Sequence, residues 1–198
     1  MDYNLGMLLR IATTVVGGML ALLPHTCLAE EGSDLVGAAS TGNLRDVKRL
    51  LAKGMKVDAL GPNGQTALMS AAREGQVEIA ELLIANKANV NARQSGGDEP
   101  GATPLMYATL PSSEGGKKTR MVALLLDKGA NPNTQTPEGE TALMFAVSLQ
   151  DVEAVRLLVA HKANPDLRRN DGKTAFDFAK GKAPALLDLL RQTEQKPR

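Results

Sequence analysis

"NGQTALMSAAREGQVEIAELLIANKANVNA", residues 63–92, decides the fold because the chain spells it again. "EGETALMFAVSLQDVEAVRLLVAHKANPDL" begins at Glu138, "PGATPLMYAT" at Pro100 and "NDGKTAFDFAK" at Asn170. Thr66, Thr103, Thr141 and Thr174 align, with Ser33 in the same place of "GSDLVGAAS". The steps from Ser33 through these threonines are 33, 37, 38 and 33 residues. A basic period of 33 with insertions is the sign of a stacked repeat array. Asp58, Asn91, Asn133 and Asp166 mark one late point in each copy, and they locate the extra residues in "RQSGGDEPGA" (93–102) and "LPSSEGGKKTR" (110–120).

Each copy reads as two short helices. The Thr66 hydroxyl is placed to cap the first. Leu68, Ala71 and Ala72 give that helix an apolar face of mostly small residues, and Gly75 supplies the turn. Val77, Ile79, Ala80, Leu82, Leu83 and Ile84 make the second helix too apolar for a single stripe, so it is expected to pack on both sides. Gly64, Gly101, Gly139 and Gly172 fall two residues before the threonines, where a hairpin turn requires positive φ. One unit cannot hide its own apolar helices, whereas stacked units bury a continuous core. At roughly 25 cal/mol per Å² of apolar surface, that burial must supply most of the stability. The expectation is an all-α solenoid of helix-turn-helix units with short β-hairpin loops. Its units are an N-terminal cap over 30–62, repeats over 63–97, 98–135 (carrying both insertions) and 136–169, and a C-terminal cap over 170–192 whose last helix starts at Pro184. Residues 193–198 form a frayed tail.

The first residues are of another kind. Arg10 precedes the uncharged run 11–23, then Pro24 and "CLA" at 27–29. This has the pattern of a signal peptide cleaved after Ala29. The run is shorter than the roughly 20 residues a spanning helix needs. The alternative is an uncleaved anchor starting at Leu5. Cleavage removes Cys27, the single cysteine, so the mature chain carries no thiol into an oxidising compartment. A periplasmic or secreted protein is expected, with no membrane contact after processing and a monomeric state.

Composition excludes several roles. The 23 Lys and Arg nearly balance the 22 Asp and Glu, which argues against nucleic acid as a partner. Trp is absent and aromatics are few, which argues against base-stacking platforms. Catalysis finds little support. His161 would have to serve any Ser-His-Asp arrangement, yet it stands just past the second helix of its unit, where the other copies hold Asn86 and Lys128. "GGDEPGAT" has phosphate-loop glycine spacing but Ala102 where the lysine belongs. Met69, Met106 and Met144 form a column, one per unit, but helices about 8–10 Å apart are too distant to share one copper ion. No enzyme activity, cofactor or metal is expected.

These residues make the chain resemble an ankyrin-repeat protein. "TALMSA", "TPLMYA", "TALMFA" and "TAFDFA" match the family's T-P-L-H-x-A opening; "KANVN", "GANPN", "KANPD" and the degenerate "GMKVD" match its G-A-D-V-N close. The match runs from about Ser33 to Gln192. The signature's histidine, which in the family ties hairpin to helix, is replaced by Met69, Met106, Met144 and Asp177, so that tie must be made otherwise.

The resemblance implies binding of a partner protein on the concave surface of hairpin tips and first helices. Carried over by position, it assigns Asn63, Gln65, Arg73 and Glu74 in the second unit. In the third it assigns Glu99, Ala102, Tyr107 and Leu110, with Arg93, Gln94 and Asp98 from the insertion. Glu138, Glu140 and Phe145 follow in the fourth, then Arg168, Arg169, Asp171 and Lys173 in the fifth. The third and fourth fingers lean acidic and the last basic, which suits a partner of mixed charge. Tyr107 and Phe145 share a repeat position and are hot-spot candidates if exposed. The 110–120 insertion reads as a basic loop (Lys117, Lys118, Arg120) made mobile by Gly115 and Gly116. Two other roles suit the same fold: an immunity or inhibitor protein masking a periplasmic toxin or enzyme, and a secreted effector acting on a host protein.

Overall fold

The computed structural model describes residues 34–111, 115–180 and 184–192, with only the backbone of 115–117. The expected signal segment, Ser33, loop residues 112–114 and the tail 193–198 lie outside the described residues. The elements in order are α1 (34–40), α2 (Leu44–Ala52), α3 (Ala67–Glu74), α4 (Val77–Ala85), α5 (Pro104–Thr109), α6 (Gly115–Asp127), α7 (Ala142–Ser148), α8 (Val152–Ala160), α9 (Ala175–Ala179) and α10 (Pro184–Arg191).

The helices stand in two rows. First helices pack on first helices, α3 on α5, α5 on α7, α7 on α9. Second helices do the same from α2 through α4, α6 and α8 to α10. The first row is lined by small residues, with Ala67, Ala71, Ala72, Ala108, Ala146 and Ala179 buried. The second row carries bulkier side chains, including Ile79, Leu83, Leu125, Leu158 and Leu186. Small residues allow close approach of the first helices, and bulkier ones fill the space between the second helices.

Each first helix starts at its threonine. The hydroxyls of Thr66, Thr103 and Thr141 accept the backbone N–H groups of Met69, Met106 and Met144 at 3.3, 3.4 and 3.2 Å. Where the family signature has histidine, the Met69 sulfur accepts the Thr66 N–H at 3.4 Å. Asp177 performs that task in the last unit, accepting the backbone N–H of Thr174 at 2.9 Å and its hydroxyl at 3.1 Å. Helix α3 ends at Gly75 in the left-handed region, φ 71°.

No described residue is in a β-strand. The expected hairpins are closed turns, held by one backbone bond pair in each finger except that of the third unit, which has a third bond. In the fourth unit Thr136 N–H donates to the Glu140 carbonyl at 3.0 Å and Gly139 N–H to the Thr136 carbonyl at 2.9 Å. The last finger repeats this with Arg169 to Lys173 at 2.9 Å and Gly172 to Arg169 at 2.8 Å. Gly139 and Gly172 have φ of 85° and 82°, which a side chain would strain.

The late-repeat asparagines brace one unit to the next. Asn133 accepts the backbone N–H of Asn164 at 2.7 Å and donates to the Lys162 carbonyl at 3.1 Å. Asp58 accepts the Asn89 N–H at 3.1 Å.

The second insertion differs from expectation. Residues from Gly115 onward are helical, so Lys118 and Arg120 belong to the first turns of α6 rather than to a loop. Lys118 is buried, 6 % exposed, and its ammonium has no hydrogen-bond partner. Its stem extends the apolar underside of α6, and helical spacing, unlike a loop, turns that side chain inward. Arg120 is exposed, 3.5 Å from Glu81.

Candidate functional site

The fingers lie side by side and are bonded to one another. Ser95 N–H donates to the Gly64 carbonyl at 3.1 Å, and Asn170 N–H to the Glu138 carbonyl at 2.9 Å. The Arg93 guanidinium donates to the Gln135 carbonyl at 2.8 Å, and the Gln135 amide to the Arg168 carbonyl at 2.9 Å. A row of loops that would otherwise fray one by one is thereby held as one edge, with the first helices behind it.

The site residues named from sequence divide on this edge. Asn63 and Gln65 sit on the first finger, Asn63 exposed and Gln65 half-buried. Arg73 and Glu74 end α3. Arg73 places its guanidinium 5.8 Å from the Tyr107 ring centroid. Glu74 acts at the other edge, where its charge partly offsets the effect of burial on Lys118. Leu110 is half-buried at the end of α5. Arg168 and Lys173 are exposed on the last finger, where Lys173, 3.0 Å away, holds the Asp171 carboxyl below the usual range.

Of the expected contact residues Ala102 is buried, and Gln94 and Tyr107 point inward. Gln94 is 5 % exposed and Tyr107 2 %. The Gln94 amide donates to the Asn63 and Gly96 carbonyls at 3.0 and 2.6 Å, and its carbonyl oxygen accepts the Tyr107 hydroxyl. The Gln94 side chain thereby ties the preceding finger, at Asn63, to its own loop, at Gly96, and to α5 through Tyr107. Burial, reinforced by Glu99, pushes the Tyr107 hydroxyl above its ordinary pKa, with Arg73 opposing. Both are supports of the finger rather than its contact surface.

Asp98, Glu99, Glu138, Glu140 and Phe145 come together. They surround a depression of about 290 Å³ with Pro100, Ala102 and Thr136 completing its wall. Phe145 is half-buried. Glu140 is committed to Arg169 at 2.9 Å. Asp98, Glu99 and Glu138 form no ion pair among the described residues. Thr136 was not singled out from sequence, although its register signalled it: it stands five residues before Thr141, as Arg169 stands before Thr174.

His161 caps the C-terminus of α8. One ring nitrogen contacts the Leu157 carbonyl at 2.9 Å and the other lies 3.4 Å from Asp127. Among the described residues no His, Cys, Asp or Glu grouping has the arrangement of a metal site, and no helix is long and apolar enough to cross a membrane.

Two rows of stacked helices with a bonded row of loops along one edge define a repeat solenoid. A family model described as ankyrin repeats (three copies) matches residues 35–115 and 112–197, and the chain belongs to that family. Curated proteins share the pattern. An ankyrin repeat-containing protein of Treponema pallidum is 34% identical over 138 residues, 67% of this chain and 44% of that one. Protein glp-1 of Caenorhabditis elegans is 38% identical over 106 residues, half of this chain but 8% of its own length. The ankyrin repeat, SAM and basic leucine zipper domain-containing protein 1 of Bos taurus is 32% identical over 109 residues, 55% of this chain and 22% of that one. The chain thus spans less than half of each. Ankyrin repeats are a general protein–protein interaction module, and the repeat relatives are generally non-catalytic.

Proposed function

We propose that this chain is an exported, non-catalytic binding protein that holds a partner protein on the edge made by its fingers and first helices. The observation that carries this is the bonding of the fingers to one another, above all Arg93 to Gln135 and Gln135 to Arg168. Loops held in this way present exposed side chains at fixed spacing, so a partner does not have to order them on binding. The exposed residues Asn63, Arg93, Asp98, Glu138, Arg168 and Lys173 are the proposed contacts. Arg10, the uncharged run 11–23 after it and the small-residue end at 27–29 support export to a periplasmic or extracellular space.

The test is affinity capture with the full-length chain produced in its own host, and in parallel with Asn63, Asp98, Arg168 and Lys173 all changed to Ala. One specific protein recovered by the first and lost by the second is the expected result. Identical captured sets would refute the assigned edge. N-terminal sequencing of the recovered protein checks export, the expected first residue being Glu30.

A further inference from the structure

One repeat position carries an aromatic ring in three successive units: Tyr107, Phe145 and Phe178, each four residues after its threonine. Two of these rings already hold a guanidinium from within the chain. Arg73 stands 5.8 Å from the Tyr107 centroid and Arg169 5.9 Å from that of Phe178. Among the described residues Phe145 has no such cation, and it borders the depression described above.

The surroundings of Arg169 show what that depression is built to take. Its guanidinium meets Glu140 at 2.9 Å, from the preceding finger, and Asp171 at 3.3 Å, from its own. Shift that arrangement back by one unit. Phe178 becomes Phe145, Asp171 becomes Glu138, and Arg169 becomes Thr136. The equivalence is structural as well, because Thr136 and Arg169 make the same pair of turn-closing backbone bonds. Glu140 has no counterpart in register, because Ala102 stands there, but the insertion of the preceding finger brings Asp98 and Glu99 to the same depression. The ring and its own finger's carboxylate are therefore repeated and the insertion supplies the facing ones, while the arginine is replaced by a side chain too short to reach them.

We propose that the depression over Phe145 is an arginine socket, which an arginine side chain of the partner protein fills in place of the one Thr136 does not provide. This rests on the binding role proposed above and names the chemistry of its central contact. A guanidinium suits the socket for two reasons. Its flat face lies on the Phe145 ring. Its edge donates to carboxylates on either side in the planar, forked geometry that an ammonium cannot match. Arginine is accordingly expected to be preferred to lysine.

The experiment uses the full-length chain and the probe acetyl-Gly-Arg-Gly-amide, compared with the same peptide carrying citrulline or lysine. NMR shifts of the Thr136 and Phe145 amides and the Phe145 ring report binding. The arginine probe is expected to shift them saturably at low salt, the citrulline probe not at all, and the lysine probe with at least threefold weaker affinity. Thr136→Arg places an internal guanidinium in the socket and is expected to abolish the response while the fold is kept. Glu138→Gln, which changes no packing, is expected to weaken binding at least threefold. Shifts of equal size with citrulline, no response to arginine, or unchanged binding in Thr136→Arg and Glu138→Gln would each overturn the socket. A partner captured as well by Thr136→Arg as by the original chain, but lost on the finger changes above, would overturn the socket and leave the binding edge standing.

Discussion

The side chain of Asn91 accepts the backbone N–H of Asn131 at 2.8 Å, and the same amide donates to the Gly129 carbonyl at 3.1 Å. Asn133 repeats both bonds one unit on. A side-chain amide thus closes what would be open backbone positions at these two junctions between units. A carboxylate in this place can only accept, as Asp58 does from Asn89.

Asn91→Ala removes an acceptor and a donor from one junction. The groups left behind are at the surface and can turn to water, so the expected loss is about 1 kcal/mol, not the cost of a buried orphan. Urea unfolding should show a lower midpoint with an unchanged slope. A change in slope would mean that the junction no longer unfolds with its neighbours.

Gly129 has φ 87°, and a Cβ there meets nothing within 4 Å. Gly129→Ala therefore probes backbone strain without a clash and is expected to cost about 1 kcal/mol. The chain itself tolerates that strain at Lys162, which occupies the equivalent place with φ 64°. Lys162→Gly should cost less than Gly129→Ala, read from the same unfolding curves.

Lys118 keeps a buried ammonium without a hydrogen-bond partner. Burial lowers its pKa, and Glu74 and Asp151 only partly oppose this. The folded state therefore gives up this proton at lower pH than the unfolded chain does. Between the lowered folded pKa and the ordinary lysine value the unfolded chain binds more protons, so stability rises with pH through that window. Lys118→Met removes the charge but keeps the stem. It is expected to stabilise by about 1–3 kcal/mol at neutral pH and to flatten the alkaline rise, seen as unfolding midpoints against pH.

Asp177 behaves in the opposite sense. Lys180 at 2.6 Å, then the N–H and hydroxyl of Thr174, hold its carboxyl at about 2. Its contribution is present in full above the ordinary carboxylate range, near 3.9, and is lost as pH falls through about 2. Asp177→Asn should remove that part of the acid dependence. NMR titration of the Asp177 carboxyl in the original chain should give a midpoint well below the ordinary carboxylate value near 3.9.

The repeat itself was plain in the residues. Threonine opening each repeat, glycine two places before it and an over-apolar second helix have local causes: capping, positive φ and two-sided burial. Those causes act within one unit, so they survive in the order of letters. The misread residues are those whose surroundings come from another unit or from an insertion. Gln94 resembles any polar finger residue until the Asn63 carbonyl of the preceding unit and the Tyr107 hydroxyl of α5 close on it. Lys118 resembles a loop lysine until α6 proves to begin at Gly115.

By itself, the order of residues determined the unit, its period and the stacking that its apolar second helix demands. Tertiary structure alone decided which polar groups face outward, and that among the described residues Phe145 lacks the guanidinium its neighbours have. Helix and turn are chosen by contacts a few residues apart. A socket is made by side chains about one repeat apart, such as Asp98 and Glu138, and their distance is set by how the units pack.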